Sequence, residues 1–433
     1  MGVIIKQGKI WYENRWVVSD LLIEEGVIKE IAPHLADKSG NEIIEAGQKL
    51  VIPGLIDCHA HLREPGGEEK ETIFSGARAA LKGGFTTVLA MPNTNPVIDS
   101  PDLIDYIYKK GQNAGWARVL PIGAITVGEQ GEKLADLEGM VAKGAVAFSD
   151  DGKGVQSAAL MKETMERAAR MGRPILAHCE DETLSGNGVI HQGAMANKLM
   201  VPGIPAEAEY LQVQRDLLLA EATGVHYHVC HLSSGHSVQL IREAKAKGVN
   251  VTAEVTPHHL LLTDLDLREP YSSYKINPPL RSEMDQIALI EGILDGTIDI
   301  IATDHAPHTV TEKKRGLLAA PFGAVGLETA FPLLFTHLVR TGIVTLERLI
   351  ELMSTRPAEI FNLEGGVIQL NAKADLTIID IDALQRVEPS DFYSKSTNTP
   401  FAGWELFGWP TLTIVAGEVK WRQGENNDES INC

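Results

Sequence analysis

Apolar residues follow two different rhythms along the chain. From Val3 to Gly54 they come in short runs closed by turn residues: VIIKQGKIW, WVVSDLLIEEGVIKEI and NEIIEAGQKLVIPG. No stretch there repeats at a helical spacing, so the segment reads as strands joined by tight turns. From Leu55 the rhythm changes. Eight short runs rich in Val, Ile and Ala follow: LIDCHAH from Leu55, FTTVLAMPN from Phe85, RVLPIGA from Arg118, GAVAFSDD from Gly144, RPILAHCE from Arg173, VHYHVCHL from Val225, NVTAEVTPHH from Asn250 and IDIIATDH from Ile298. Helix-like stretches such as KETIFSGARAALKGG and SAALMKETMERAARMGR lie between several of them. Short apolar runs alternating with helix-period segments predict parallel strands with helical crossovers. Eight such units over about 250 residues predict a closed (β/α)8 barrel. An open doubly wound sheet is the competing fold, but no run is followed by G-x-G-x-x-G.

After Leu363 the strand character returns in GGVIQL, KADLTIIDI and TLTIVAGEVKW. The simplest arrangement pairs the two chain ends into one small β-sandwich domain beside the barrel. The expected division is therefore 1–52 and 364–433 for the small domain and 53–363 for the barrel. The closing RQGENNDESINC is polar and is expected to be disordered.

Composition narrows the function. No apolar stretch approaches the roughly 20 residues needed to span a bilayer. The opening MGVIIKQGKIWYENRW lacks the regions of a signal peptide, so cytoplasmic residence is expected. The formal charge of −19 disfavours nucleic acid and anionic membranes as partners. An anionic small molecule would need a local cation to hold it. The 4 cysteines make no disulfide framework in a chain this long. Cys58, Cys179 and Cys230 adjoin His59, His178 and His231. Alternation along a strand would turn these cysteines toward the surrounding helices if the histidines face a site.

The candidate chemistry lies at the C-terminal ends of the predicted strands. His59 and His61 end the first, Asp150 and Asp151 the fourth, His178 the fifth, His231 the sixth, and Asp304 and His305 the eighth. In a barrel those ends converge on one face. Imidazole and carboxylate together suit Zn²⁺ or a similar ion. The four histidines of the first, fifth and sixth strand ends with one carboxylate each from the fourth and eighth make six candidate ligands, more than one tetrahedral ion needs, which points to two ions sharing a bridging carboxylate and a hydroxide. Such a centre hydrolyses an amide or forms one in reverse. Two residues past His61 stands Arg63, whose planar guanidinium can hold a carboxylate bidentately.

The motifs DCHAHLREPGGEEKETI, AMPNTNPV, FSDDG, AHCED, HVCHLSS, AEVTPHHL, INPPLR, IATDHAPH, APFGAVGLETAFPLL and NTPFAGW span nearly the whole chain. They resemble the amidohydrolase superfamily and, within it, the bacterial type I dihydroorotases. That family interconverts N-carbamoyl-L-aspartate and L-dihydroorotate in pyrimidine synthesis. The resemblance implies that His59 and His61 bind one zinc and that His178 and His231 bind the second. Asp151 would bridge them, while Asp304 would contact the first and act as general acid and base. It further implies substrate contacts from His61, Arg63, Asn93, Asn277 and His308, with backbone contacts from Phe322 and Gly323. Many relatives bridge their metals with a carboxylated lysine. FSDDG offers none at that position, and Lys153 lies on the following loop.

Asp150 is expected to serve hydrogen bonding in its loop, and His258 and His259 to orient a ligand. His191, His226, His228, His236 and His337 read as ordinary structural histidines. The stretch HTVTEKKRGLLAAPFGAVG, from His308, is placed to close over the site. Homodimers are common among type I relatives, and some associate with aspartate transcarbamoylase; both stand as partner expectations. The competing functions are a dihydropyrimidinase or allantoinase, whose substrates lack the carboxylate that explains Arg63, and a non-catalytic scaffold, which would have lost ligands.

Overall fold

The computed structural model describes residues 2–13, 15–37 and 40–425. Residues 426–433 of the polar tail, with Cys433, lie outside the described residues. Eight parallel strands run in chain order through the middle of the molecule: Leu55–Ala60, Phe85–Ala90, Arg118–Pro121 continuing as Gly123–Ala124, Phe148–Ser149, Ile175–Ala177, Tyr227–Val229, Val251–Val255 and Ile300–Ile301. Each pairs with the next. The circle closes through a parallel bridge between Ala60 and His305, where the His61 amide donates to the His305 carbonyl at 2.8 Å. The eight apolar runs are thus eight barrel strands, and the open-sheet alternative is excluded.

Helices cover the outside. The first spans Ile73–Lys82, inside the expected KETIFSGARAALKGG. Thr72 caps it, its hydroxyl accepting from the Ser75 amide, a contact worth about 1 kcal/mol. SAALMKETMERAARMGR forms Ala158–Met171, capped by Ser157 and ended by Gly172 at φ 62°. No helix among the described residues is long and apolar enough to cross a membrane.

Inside the barrel, Ile56, Leu89, Ile122, Ala147, Leu176 and Ile300 form one apolar cluster with Ala358 and Phe361 of the helix Arg356–Phe361. Side chains from six strands meet in one cluster only in the interior. Cys58 and Cys230 belong to it, contrary to the expectation that they face the helices. The cause is local. The first strand's pairing register shifts between Asp57 and Ala60, and the sixth ends at Val229, with His231 at φ 30°. Strict alternation therefore fails just before the histidines. Cys179 does face outward, its thiol 3.2 Å from the Tyr227 hydroxyl.

The two chain ends share one sheet. Val3–Tyr12, Arg15–Glu24, Val27–Ala32, Glu42–Glu45 and Leu50–Pro53 join Leu376–Asp380, Trp409–Val415 and Glu418–Arg422. Val3–Tyr12 pairs through its first half with Glu42–Glu45 and through its second with Leu50–Pro53. The sheet divides there into the layers of a β-sandwich around Ile5, Ile10, Leu21, Ile23, Leu376 and Ile414. GGVIQL is not a strand. Gly365 and Gly366 sit at φ 104° and 77°, and a Cβ on Gly366 would lie 2.7 Å from the Ala358 Cβ. The chain turns tightly against the preceding helix instead, and Ile368 still reaches the sandwich core.

Candidate active site

The barrel delivers its strand-end residues to one place. His61, Arg63, Asn93, Asp151, His178, His231, Asn277, Asp304, His308, Phe322 and Gly323 line a single cavity of about 190 Å³. His59 lies fully buried against its floor. Asp151 occupies the centre. Its Oδ1 is 3.4 Å from His59 Nε2, 3.7 Å from His231 Nε2 and 3.9 Å from His178 Nδ1. Its Oδ2 is 3.5 Å from His61 Nε2. Asp304 Oδ1 stands 3.0 Å from His61 Nε2 and 3.6 Å from His59 Nε2. Arg63, His231 and Asp304 all adopt positive φ, at 59°, 30° and 47°. Such conformations cost about 1–3 kcal/mol each and cluster at functional sites.

Three imidazoles are held from behind, and this decides which nitrogen faces the centre. His59 Nδ1 donates to Glu254 Oε1 at 2.6 Å, which presents Nε2. His61 Nδ1 donates to Asn93 Oδ1 at 2.8 Å, again presenting Nε2. His178 Nε2 donates to Glu180 Oε2 at 2.9 Å, which turns Nδ1 toward His231 Nε2, also 2.9 Å away. Such partners fix tautomer and ring orientation at metal centres. Asn93, expected to touch substrate, spends its oxygen on His61 and reaches Asp151 Oδ2 with its amide nitrogen at 3.3 Å.

Two triads of buried ligand atoms share Asp151: His59–His61–Asp151 and Asp151–His178–His231. Both His59 Nε2 and Asp151 Oδ1 are buried without a hydrogen-bond partner among the described residues. Buried polar atoms ordinarily have partners, so two orphans aimed at one point fit a cation. The arrangement is that of a binuclear centre. A third group, His59–Cys230–Glu254, is accounted for by the hydrogen bond between His59 and Glu254. Burial opposes a charged His59, yet Asp151 and Glu254 hold its pKa well above the usual histidine value. Burial would likewise raise Asp151 and Asp304. The imidazoles of His59, His61 and His231 outweigh it and hold both carboxyls below the usual range.

The other wall carries a cation. Burial lowers the Arg63 pKa to about 10, leaving the guanidinium charged at neutral pH. Its Nε donates to the Pro307 carbonyl at 3.2 Å, and no carboxylate among the described residues lies within 4.0 Å of it. Burial and the neighbouring Arg63 charge push His308 down to about 3, so it is neutral. Its Nε2 donates to the Phe322 carbonyl at 2.7 Å. Gly323 sits at φ 129°, where a Cβ would fall 2.7 Å from the Ala306 Cβ. Its amide donates to the Lys275 carbonyl, and its carbonyl accepts from Lys313 and Asn398. These bonds pin the loop beside the cavity. The stretch after His308 folds as two short helices, Val310–Lys313 and Gly316–Ala319.

Asp150, Lys153, His305 and His259 turn to other partners. Asp150 accepts from the Ile125 and Thr126 amides at 2.8 and 2.9 Å. Lys153 reaches the Glu129 carbonyl at 3.1 Å. His305 faces Glu71 and the Gly326 amide. His259 donates from Nε2 to the Pro278 carbonyl at 2.9 Å, steadying the loop that carries Asn277. His258 is buried and, like His259, has its pKa lowered by burial. Sequence reasoning missed Glu180 and Glu254, and it read His228 as unremarkable although it shares Glu254 with His59 at 3.1 Å. Signals existed. Glu180 follows His178 at the spacing that pairs His59 with His61, and Glu254 is a lone charge within an apolar run.

A family model described as dihydro-orotase-like matches residues 48–237. The chain is 52% identical over 425 residues to a dihydroorotase of Geobacillus sp. (strain WCH70), covering 98% of this chain and 100% of that one. It is 52% identical over 422 residues to a dihydroorotase of Brevibacillus brevis, covering 97% and 99%. Among solved structures it is similar to an L-hydantoinase (dihydropyrimidinase) from Arthrobacter aurescens, with a TM-score of 0.87 and 29% identity over 98% of this chain and 96% of the other. A D-hydantoinase (dihydropyrimidinase) from Thermus sp. gives 0.84 and 26% over the same shares.

Proposed function

The chain belongs to the dihydroorotase family, and we propose that it interconverts N-carbamoyl-L-aspartate and L-dihydroorotate, releasing water on ring closure, in pyrimidine synthesis. The observation that carries this substrate class is Arg63, a charged guanidinium facing the binuclear cluster with no carboxylate partner of its own among the described residues. A buried cation favours an anionic ligand over none. Both proposed substrates carry the carboxylate; the rings of dihydropyrimidinase and allantoinase substrates do not. The retention of all six candidate ligands argues against a scaffold.

Two zinc ions, one held by His59 and His61 and the other by His178 and His231, with Asp151 and a hydroxide between them, would supply a nucleophile near neutral pH and polarise the amide carbonyl. In the opening direction Asp304 accepts the proton released as water adds to the ring carbonyl. It delivers that proton to the departing ring nitrogen as the carbon–nitrogen bond breaks. Ring closure runs the same transfers backwards. Arg63 holds the carboxylate that does not react, with His308, Asn277 and the Phe322–Gly323 backbone around the ring. The resemblance to type I enzymes extends this reading to cytoplasmic residence, a homodimer and association with aspartate transcarbamoylase.

The direct test offers dihydroorotate, dihydrouracil and allantoin to the purified chain, with and without chelator. Turnover of dihydroorotate alone is expected, lost on metal removal and restored by Zn²⁺. Turnover that survives complete metal removal, or preference for an uncharged ring, would overturn the reading. Arg63→Lys is a second check. Lysine keeps the charge but not the two-pronged geometry. KM for both substrates should rise about tenfold or more, the scale of a lost charge-assisted hydrogen bond. Unchanged KM in both directions would remove Arg63 from the carboxylate site.

A further inference from the structure

Glu180 differs from the other groups that hold the imidazoles, because one of its oxygens serves both an imidazole of the cluster and the amide side chain of Asn277 on the cavity wall. Its Oε2 lies 2.9 Å from His178 Nε2 and 2.7 Å from Asn277 Nδ2. An ionised carboxylate only accepts hydrogen bonds, so both neighbours must donate. For His178 this places the proton on Nε2 and leaves the Nδ1 lone pair facing His231 and Asp151. For Asn277 it fixes which end of the amide faces the cavity. The NH₂ turns to Glu180, and Oδ1 faces the space that Asn277 lines, with no protein donor among the described residues. The 3.4 Å approach of Asn277 Nδ2 to His178 Nε2 is then two donors sharing one acceptor, not a bond between them.

The backbone around Glu180 is held as well. Its amide donates to Gln212 Oε1 at 3.1 Å, and its carbonyl accepts from Gln156 Nε2 at 2.9 Å. Its side chain is 15% exposed, so water does not compete freely for the shared oxygen.

We infer that Glu180 is a positioning residue that sets at once the metal-facing nitrogen of His178 and the substrate-facing oxygen of Asn277. The second half rests on the dihydroorotase reading. It gives Asn277 a defined role: an acceptor for an N–H of the ureido group, which both substrates carry on either side of the urea carbonyl. Glu180 thereby couples the second metal position to ring recognition, and disturbing it should move metal affinity and KM together.

The test compares Glu180→Ala and Glu180→Gln. Zinc affinity is read by competition with a chelator on metal-free protein, and kinetics are measured in both directions after zinc loading. Glu180→Ala removes the shared acceptor. It should weaken one of two zinc sites about ten- to a hundredfold and raise KM for both substrates about tenfold, with a smaller change in kcat. Glu180→Gln restores a neutral oxygen at the same reach, so KM should recover more fully than zinc affinity. Zinc affinity and KM both within twofold of wild type in Glu180→Ala overturn the assignment. So does a fall in kcat with KM and zinc affinity unchanged. If the unaltered chain failed to turn over dihydroorotate, the functional reading would fall, and the zinc measurement would still decide the His178 half.

Discussion

Asp304→Asn should abolish turnover in both directions while leaving the fold and at least one metal in place. The residue sits just past the eighth strand at φ 47°, which aims its carboxylate back over His61 and His59. Asparagine tolerates that backbone region as well as aspartate does, so the change adds no strain. It also keeps an oxygen for the 3.0 Å contact to His61. What it loses is the ability to take a proton. If Asp304 moves the proton between nucleophile and ring nitrogen, kcat should fall about 10²–10⁴-fold, the usual worth of positioned acid–base catalysis. KM should change little, because Arg63 and the ring contacts are untouched. Kinetics with metal analysis on the same preparation checks this. Activity within tenfold of wild type at full metal content would remove Asp304 from the proton path.

The barrel was legible because its strands are buried on both faces and read as continuous apolar runs. Their ends were legible because histidines and carboxylates interrupt those runs abruptly. His59, His61, Asp151, His178, His231 and Asp304 therefore stand out in the sequence itself. What stayed hidden depends on contacts between distant segments. Glu254 acts only because barrel closure through the eighth strand brings the seventh strand within two places of His59. Glu180 acts only because the INPPLR loop returns to it with Asn277. Cys58 and Cys230 face inward by the ordinary alternation from Ile56 and His228, and the register shift and early strand end just after them are what let His59 and His231 face inward as well. GGVIQL reads as a strand by composition, but two glycines at positive φ commit it to a turn. In each case local pattern named the residue type, and tertiary geometry chose its neighbour.

Asp151→Ala carries the other large expectation, since both metal-binding triads pass through this one side chain. Its two oxygens lie within 3.9 Å of all four imidazoles. Without it, four imidazoles face one another with no bridging anion, and two cations would sit close together unscreened. At least one ion should be lost. Activity should fall by about a thousandfold or more, because several kcal/mol of charge stabilisation leave with that ion. Asp151→Asn separates charge from shape: it keeps the side chain's reach but not the negative bridge, and should also lose an ion. The same logic discriminates this centre from one bridged by carboxylated lysine. Lys153 points to the Glu129 carbonyl instead, so added bicarbonate should leave the metal content of the unaltered chain unchanged. A bicarbonate-dependent gain would mean that a lysine, not Asp151, joins the two ions. Two ions retained in Asp151→Ala would equally sink the bridging assignment.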